Sequence, residues 1–381
     1  MPHYAASYVP LVRETEVMHW DPNSKRKPAS MKVGDAFHLL LRLEAGDDLS
    51  LMMGSTNAVV ALAAFRKKVN VHQLSFSRIQ AWLVSNGKGQ KQEDTGADAE
   101  QEFNGHRTKV TPSQVLRVAQ EAPHLFYPMS VAQSAVLEIV AAWQRVNDVM
   151  EARKAAANLV RIRIQQDALL YGKAREKPIP GKKELEALLA DLLNTKNEQD
   201  RKRVPGDPHI AFLTEQEERE RSRLENLCRG SDFYLRLFGD VEGVGPSIGA
   251  RFIAAVERIE RFERPEDLSN YAGMLPRGKE GMLLSRKRSK GKQLSRSSQL
   301  NSACFLLQDY MFQWGRNTSL GQRLIAQVER ECPCTPEARK ASKDLRRKHT
   351  EAVKRARIAM TRHFLEEIVW PKWRAYMGLT S

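Results

Sequence analysis

The longest unbroken segment of the sequence is helical, and it determines how the rest of the chain can be arranged. Nothing from about Ser134 to Tyr171 breaks a helix. Nearly forty such residues are typical of a coiled-coil or antiparallel hairpin arm. The sequence therefore predicts an arm at residues 134–235, between one domain at 1–133 and another at 236–381. Apolar residues recur along this segment at helical intervals of three and four, namely Val136, Ile139, Val140, Trp143, Val146 and Met150.

The segment before the arm has the pattern of an α/β domain. Short apolar runs separated by turn residues predict strands at VPLVRETEV, AFHLLLRLE, DLSLMMGS and VNVHQLS, with a helix at NAVVALAAFRKK before the last of them. The resulting order, β-β-β-α-β, is compatible with an RNase H-like core. Thr111 followed by Pro112 predicts the start of a further helix. After the arm the pattern is helical, so the fold class is α/β plus all-α.

Positive charge is concentrated in the last third of the chain. The net charge is +15, and residues 277–296 and 339–362 contribute +7 and +8 of it. Such concentration favours nucleic acid as partner over a membrane surface, because neither window has a bulky apolar face. The alternative is that the first window is a solvated loop and the second a solvated helix face. The cations of the first window are Arg277, Lys279, Arg286, Lys287, Arg288, Lys290, Lys292 and Arg296, and the second includes Arg346, Arg347, Lys348, Lys354, Arg355 and Arg357.

Nothing in the sequence indicates a membrane or secreted protein. There is no uninterrupted apolar run of 18 residues and no basic start followed by an apolar stretch. The cysteines are few, and Cys332 and Cys334 are too close for an ordinary disulfide, so we expect reduced thiols. We therefore expect a cytoplasmic protein, associated with the nucleoid if its partner is DNA.

The stretch VEGVGPSIGARFIAAV has the form of a helix-hairpin-helix. Gly243 and Gly245 allow a tight turn, and the helix opened by Pro246 offers backbone N–H groups that suit a phosphate oxygen. The predicted DNA- or RNA-binding residues are Gly243, Val244, Gly245, Ser247 and Ile248. The alternative is an αα-hairpin that only packs.

The region from Val241 onward resembles the IS-one-ten insertion-sequence transposases, a family that includes Piv-type DNA invertases and bridge-RNA-guided recombinases. The family's F-x(4)-DL-x-x-Y-x-G-x-x-P pattern is matched by Phe262, Asp267, Leu268, Tyr271, Gly273 and Pro276, and downstream Leu294, Ser295 and Arg296 match its next segment. The resemblance implies an N-terminal RuvC-like domain, a coiled-coil arm and a C-terminal helical domain. It also implies DNA as partner, with or without a guide RNA, and a homo-oligomer formed through the arm.

The family's chemistry requires four carboxylates that hold Mg²⁺ and a C-terminal serine that attacks DNA. Ser285, which is followed by Arg286, Lys287 and Arg288, best matches the serine, and Ser289 is the runner-up. The alternative is that these hydroxyls only contact phosphate. The chain departs from the family where Thr111 and Gln114 replace two aspartates and where Gly54–Asn57 lacks the glutamate. Asp21 and Asp35 are poorly placed substitutes for the first aspartate. Glu93, Asp94 and Asp98 lie in a Gly-rich segment that we expect to be a solvated loop.

Two main functions remain open, beside a weaker third in which a DNA-processing protein shares only the hairpin. The first is a transposase or recombinase of a mobile element that acts on DNA ends by phosphoryl transfer, using Mg²⁺ and Ser285. The second is a catalytically inactive relative that binds nucleic acid as an accessory or regulatory factor.

We expect three tryptophans of the C-terminal region, Trp314, Trp370 and Trp373, to pack in the core rather than to stack on bases.

Overall fold

The computed structural model describes residues 2–7, 9, 15–24, 27–86, 110–171, 195–196, 203–204, 207–274 and 297–379. The chain forms two compact units. The first combines Met1–Ala141 with Cys228–Ser381, and the second is Ala142–Leu227. The domain boundaries predicted from the sequence stay predictions.

A six-stranded mixed sheet forms the N-terminal part of the first unit. Its strand order is β3-β2-β1-β4-β5-β6. The first three strands are antiparallel neighbours, β4 and β5 continue the sheet parallel to β1, and β6 is antiparallel to β5. The strands are β1 (His3–Ala6), β2 (Thr15–Trp20), β3 (Ala29–Val33), β4 (Asp48–Met52), β5 (Asn70–Leu74) and β6 (Tyr127–Pro128).

Four helices accompany this sheet. α4 packs against β1, β2 and β4, and its buried Val115, Leu116 and Val118 join Ala5 and Leu74 of the sheet in one apolar core. This packing places the start of α4 on the same face of the sheet as those two residues. The helices are α1 (Ala36–Arg42), α2 (Ser55–Arg66), α3 (Phe76–Ser85) and α4 (Pro112–Glu121).

The predicted order β-β-β-α-β recurs, but different segments form it. The strand predicted at AFHLLLRLE is wrong, because Ala36–Arg42 is helix α1. Asp35 caps this helix by accepting a hydrogen bond from His38 N at 3.0 Å. Of its apolar residues, Leu39 is buried while Phe37 and Leu41 are exposed, which is the burial pattern of a helix with one face on the core. The predicted elements at β4, α2, β5 and α4 are confirmed.

The C-terminal part of the first unit is helical. Trp373 is fully buried and packs on Phe233, with ring centroids 5.2 Å apart. Short 3₁₀ turns lie at Pro123–Leu125 and Ile259–Arg261, and a π-helical segment at Phe364–Val369. The helices are α7 (Asp232–Phe238), α8 (Pro246–Val256), α9 (Pro265–Tyr271), α10 (Ser298–Gln313), α11 (Ser319–Glu331), α12 (Pro336–Ala341), α13 (Lys343–His363) and α14 (Trp370–Tyr376).

Two long helices bound the second unit. The predicted long helix is confirmed as α5 (Val131–Tyr171), and α6 spans Pro208–Gly230. Within the unit they run antiparallel, because Arg145 pairs with Glu220 at 3.5 Å and Arg153 with Glu217 at 2.8 Å. Two short strands, β7 (Thr195–Lys196) and β8 (Arg203–Val204), also belong to this unit. None of the helices in the described ranges has the length and apolar character needed to cross a membrane.

A buried arginine joins the sheet to the helical part of the first unit. Arg258 follows α8, is 1% exposed, and donates from Nε and Nη2 to Gln73 Oε1 of β5 at 3.1 and 3.0 Å. Glu260 lies 3.3 Å from its Nη1 and supplies the opposite charge. Gln133 of α5 also donates to the carbonyl of Glu257 at 2.9 Å. The α7–α8 region is therefore anchored to the sheet by hydrogen bonds that neither segment could make alone.

Candidate nucleic-acid interface

Two helices, α7 and α8, approach closely and are joined by the glycine-containing turn 239–245. Gly249 permits this approach, because a Cβ there would lie 2.7 Å from Tyr234 Cε2 and 2.9 Å from Phe238 Cδ2. The hydroxyl of Tyr234 donates to the carbonyl of Val244 at 3.1 Å. Burial raises the pKa of this hydroxyl well above its usual value, so it remains a proton donor at any ordinary pH. Helix α7 thus stabilises the turn through the hydrogen bond from Tyr234.

The two glycines of the turn have different structural roles. Gly243 has φ +84°, and a Cβ there would lie 2.6 Å from Met311 Cε. Gly245 has φ −73°, which any residue adopts, and a Cβ there would meet nothing within 4 Å. Gly243 is therefore required by the fold, whereas Gly245 leaves the first turn of α8 open on its outer side.

The start of α8 carries the backbone groups predicted to face phosphate. The carbonyl of Gly245 accepts from Ile248 N at 3.0 Å and from Gly249 N at 2.9 Å. Gly245 is exposed, and within the described ranges no acceptor takes its amide. Ser247 and Ile248 are half-buried. Val244 is buried, and its amide donates to Val241 O at 3.2 Å, so its side chain belongs to the core.

An open groove of about 300 Å³ lies beside the start of α8. One wall comes from α8, including Ser247 and Ile248, and the other from α10 and the residue after it. The sequence did not predict this groove, because its two walls are some sixty residues apart in the chain. Its lining residues are Ser247, Ile248, Arg251, Leu306, Asp309, Tyr310 and Trp314.

Of the three tryptophans expected in the core, Trp314 is instead exposed. Trp373 is buried, and Trp370 is half-buried and donates from Nε1 to Phe262 O at 3.0 Å. Trp314 is 77% exposed and lines the groove. The expectation that it packs in the core is therefore wrong, since the apolar face that α10 buries consists of other residues of the same helix.

The cations of the first window and Ser285 lie outside the described residues, as do Glu93, Asp94 and Asp98. The second window lies mainly on α13, where the predicted contact residues divide into two groups. Arg355 and Arg357 are half-buried and pair internally, with Glu331 and, at 3.3 Å, with Asp309. The remaining four are exposed, namely Arg346, Arg347, Lys348 and Lys354.

Asn57, in the first turn of α2, lies at the carboxyl ends of β1 and β4, three residues after Gly54, which stands at the position of the resembled family's glutamate. Asn57 is 3% exposed. Its Nδ2 donates to the carbonyls of Ser7 and Met52, both at 2.9 Å, and its Oδ1 accepts from Val9 N at 3.0 Å. The amide side chain thus joins the ends of the two strands with three hydrogen bonds and no charge.

Thr111 and Gln114, which replace two aspartates of the resembled family, hold the start of α4. Thr111 Oγ1 accepts from Gln114 N at 3.3 Å, while Gln114 Oε1 accepts from Thr111 N at 2.8 Å. This reciprocal pair is a capping box. Both side chains therefore have structural partners already, and neither can supply the charged oxygen that Mg²⁺ prefers.

The other acidic candidates are committed to local turns. Asp35 accepts from His38 N, and this hydrogen bond is the main reason that the pKa of Asp35 is lowered. Asp21 accepts from Asn23 N at 3.0 Å. Within the described residues no three His, Cys, Asp or Glu side chains are grouped closely enough to hold a metal ion. Among the described residues around β1, β4 and α4, the donor set does not fit Mg²⁺.

Residues 235–306 match the model of the family described as Transposase IS116/IS110/IS902 family. The matched segment contains the second half of α7, all of α8 and α9, and the first half of α10, with the turn that carries Gly243 and Gly245. Residues 235–306 are thus similar to the transposase domain of this family. The resemblance noted in the sequence is thereby confirmed. No curated protein matches the chain.

Proposed function

We propose that the protein is a DNA-binding member of a mobile element's transposition system, and that the α7–α8 hairpin holds the sugar-phosphate backbone as a helix-hairpin-helix. The observation that carries this proposal is the exposed start of α8 at Gly245, inside the segment that matches a transposase domain. Backbone amides at a helix N-terminus are suited to a phosphate oxygen. Such contacts position the protein on DNA without reading sequence.

The N-terminal sheet acts in this proposal as a scaffold of RuvC-like, RNase H-like type rather than as a metal-dependent nuclease. The order β-β-β-α-β at β1–β4 supports the fold. The proposal that this sheet lacks metal-dependent chemistry is supported by Asn57, Thr111 and Gln114. Their polar atoms are engaged in hydrogen bonds to the backbone. We therefore favour an accessory or regulatory role over metal-dependent phosphoryl transfer.

A binding experiment tests the role of the hairpin. Duplex DNA of fixed length is titrated with the full chain between 50 and 200 mM salt. If six to ten phosphates are contacted, the affinity should fall about 10³- to 10⁵-fold over this range. Gly245→Glu places a negative charge at the start of α8 in open space and should weaken binding further, whereas Phe37→Glu on exposed α1 serves as a control that adds the same charge elsewhere. A salt-independent affinity, or equal effects of the two variants, would contradict the proposal.

A second candidate, an active recombinase using Ser285, is supported by one observation. The matched segment 235–306 includes Ser285. The test is to sequence the nucleic acid that co-purifies with the protein and to supply it as substrate with Mg²⁺. Cleavage or joining that disappears in Ser285→Ala would establish this second function, and binding without cleavage would support the accessory role. A structured RNA in the co-purified material would add guide-RNA binding, and sedimentation of an arm-deleted variant would test oligomerisation through α5 and α6.

A further inference from the structure

An exposed apolar stripe lies on α10 beside the hairpin. Leu306, Tyr310 and Trp314 are four residues apart, so they follow one another along one face of the helix at a rise of about 6 Å per step. Trp314 is 77% exposed, Tyr310 39% and Leu306 37%. Exposed apolar side chains grouped on one helix face are a typical feature of interaction sites.

The fold does not need this stripe for packing α10. The helix buries a different face, formed by Leu300, Ala303, Cys304, Leu307, Gln308 and Met311. Trp314 is the C-cap residue of α10, where its amide donates to Tyr310 O at 2.8 Å. Its indole can therefore be removed without opening a cavity in the core.

The stripe is continuous with the turn proposed to hold phosphate. Tyr310 Cε1 lies 3.1 Å from the position that a Cβ of Gly243 would take. Across the groove stand Ser247 and Ile248, from the first turn of α8. A strand whose phosphate lies at the start of α8 would therefore have its next nucleotides beside Tyr310 and Trp314.

The charges around the groove favour an anionic chain. Arg251 lines it and Arg316 is exposed two residues beyond Trp314. The one carboxylate of the lining, Asp309, is compensated by Arg357 at 3.3 Å and accepts from Gln313 Nε2 at 2.8 Å. Cationic groups beside exposed aromatic rings are the usual composition of a surface for single-stranded nucleic acid.

We propose that this groove holds unpaired nucleobases, which stack on Trp314 and Tyr310 next to the backbone held by the hairpin. The proposal rests on the proposed function and makes it more specific: the preferred substrate is a duplex that continues into unpaired nucleotides, as at a frayed or cleaved end. Within an intact duplex the base faces already stack on one another, so the aromatic rings would gain nothing from them.

The test compares substrates that differ only in their bases. Full-length protein is titrated by fluorescence anisotropy with a blunt duplex, the same duplex with a short single-stranded DNA overhang, and the same overhang made abasic. A fourth substrate carries an RNA overhang. The wild-type protein should bind the DNA or RNA overhang about 5- to 150-fold more tightly than the blunt duplex for each base that stacks, and the abasic overhang should abolish this gain. The overhang that gives the larger gain in affinity, DNA or RNA, identifies the kind of strand that the groove binds.

Variants assign the gain to the groove. Trp314→Ala should lose the overhang preference but keep the affinity for blunt duplex, while Trp314→Phe should keep much of the preference. Phe37→Ala removes an aromatic ring that is 64% exposed on α1 and should change nothing. The thermal midpoint of Trp314→Ala should equal that of the wild type.

Three results would overturn the stacking site while leaving the proposed function intact. These are blunt-duplex binding with no overhang preference, an equal loss for both substrates in Trp314→Ala, and a change of oligomeric mass in Trp314→Ala with the overhang preference retained. The last would identify the stripe as a protein interface. Failure to bind any of the four substrates would overturn both proposals.

Discussion

Replacing Gly243 with alanine tests whether the turn between α7 and α8 depends on a conformation that only glycine adopts readily. With φ at +84°, an alanine would occupy the left-handed region at a cost of about 1–2 kcal/mol. Its Cβ would also lie 2.6 Å from Met311 Cε. Because a methionine terminus is flexible, moving it belongs at the low end of the cost of overpacking, about 1–3 kcal/mol.

The sum predicts that Gly243→Ala lowers the free energy of unfolding by about 2–4 kcal/mol. Gly245→Ala is the matched control, because Gly245 has φ −73° and open space around its Cα. We expect its effect on stability to stay within about 0.5 kcal/mol. In DNA binding the control becomes informative in its own right, since a methyl group at the start of α8 hinders the approach of phosphate.

The assay is urea unfolding, followed by tryptophan fluorescence and by far-ultraviolet circular dichroism. A shift of the midpoint at constant slope reports a change in stability. For binding, the loss of a single hydrogen bond to a charged phosphate corresponds to roughly tenfold or more in affinity. If both alanine variants unfold at the same urea concentration, the assignment of separate roles to the two glycines is refuted.

Three further predictions concern buried charged groups. Arg258→Met should cost about 3–5 kcal/mol in urea unfolding, because it leaves the buried Gln73 and Glu260 without their cationic partner. Burial raises the pKa of Glu257 to about 7, so wild-type stability should fall as pH rises from about 4.5 to 7, and Glu257→Gln should be the more stable protein at pH 8, by about 1–3 kcal/mol, but not at pH 4. The pKa of Glu217 is lowered, since the hydrogen bonds from Arg221 and Arg153 outweigh the opposing effect of burial. Glu217→Gln should therefore lower the thermal midpoint at pH 7, and the deficit should shrink as pH falls below the ordinary carboxyl range.

Elements whose buried residues repeat at a regular interval were predictable from the sequence. The sequence predicts the end of α5 at Tyr171 and its start to within three residues, and Thr111-Pro112 locates the start of α4. The strand β3 was not predicted, because most of its side chains are exposed and no apolar alternation results. AFHLLLR was assigned to the wrong class because its apolar run has no clear period.

The functional surface was predictable only where a local motif forms it. Gly-Val-Gly-Pro indicates the turn, since the constraint lies within a few residues. In sequence, the exposed stripe Leu306, Tyr310 and Trp314 resembles the stripe that α10 buries in the core. Only the packing of the folded helix shows that Trp314 is exposed. Arg258 lies in a charge-rich stretch that suggests solvent exposure, yet its main partner, Gln73, is 185 residues away. No local pattern carries that information.

The hydrogen bonds of Asn57 suggest how a sheet of this kind persists without metal chemistry. Carboxylates gathered at the ends of β1 and β4 would repel one another unless a cation compensated them. An amide side chain instead satisfies three backbone groups there and needs no ion. Next to Met52 in the sheet, where Leu51 of β4 pairs with Gln73 of β5, Arg258 ties α8 to β5. The hairpin thus depends on the sheet for its own position, so the proposed accessory role still requires the sheet. Under the proposed function, DNA binding and catalysis are separable in this chain. A substitution at Asn57 should therefore lower the free energy of unfolding before it lowers the affinity for DNA.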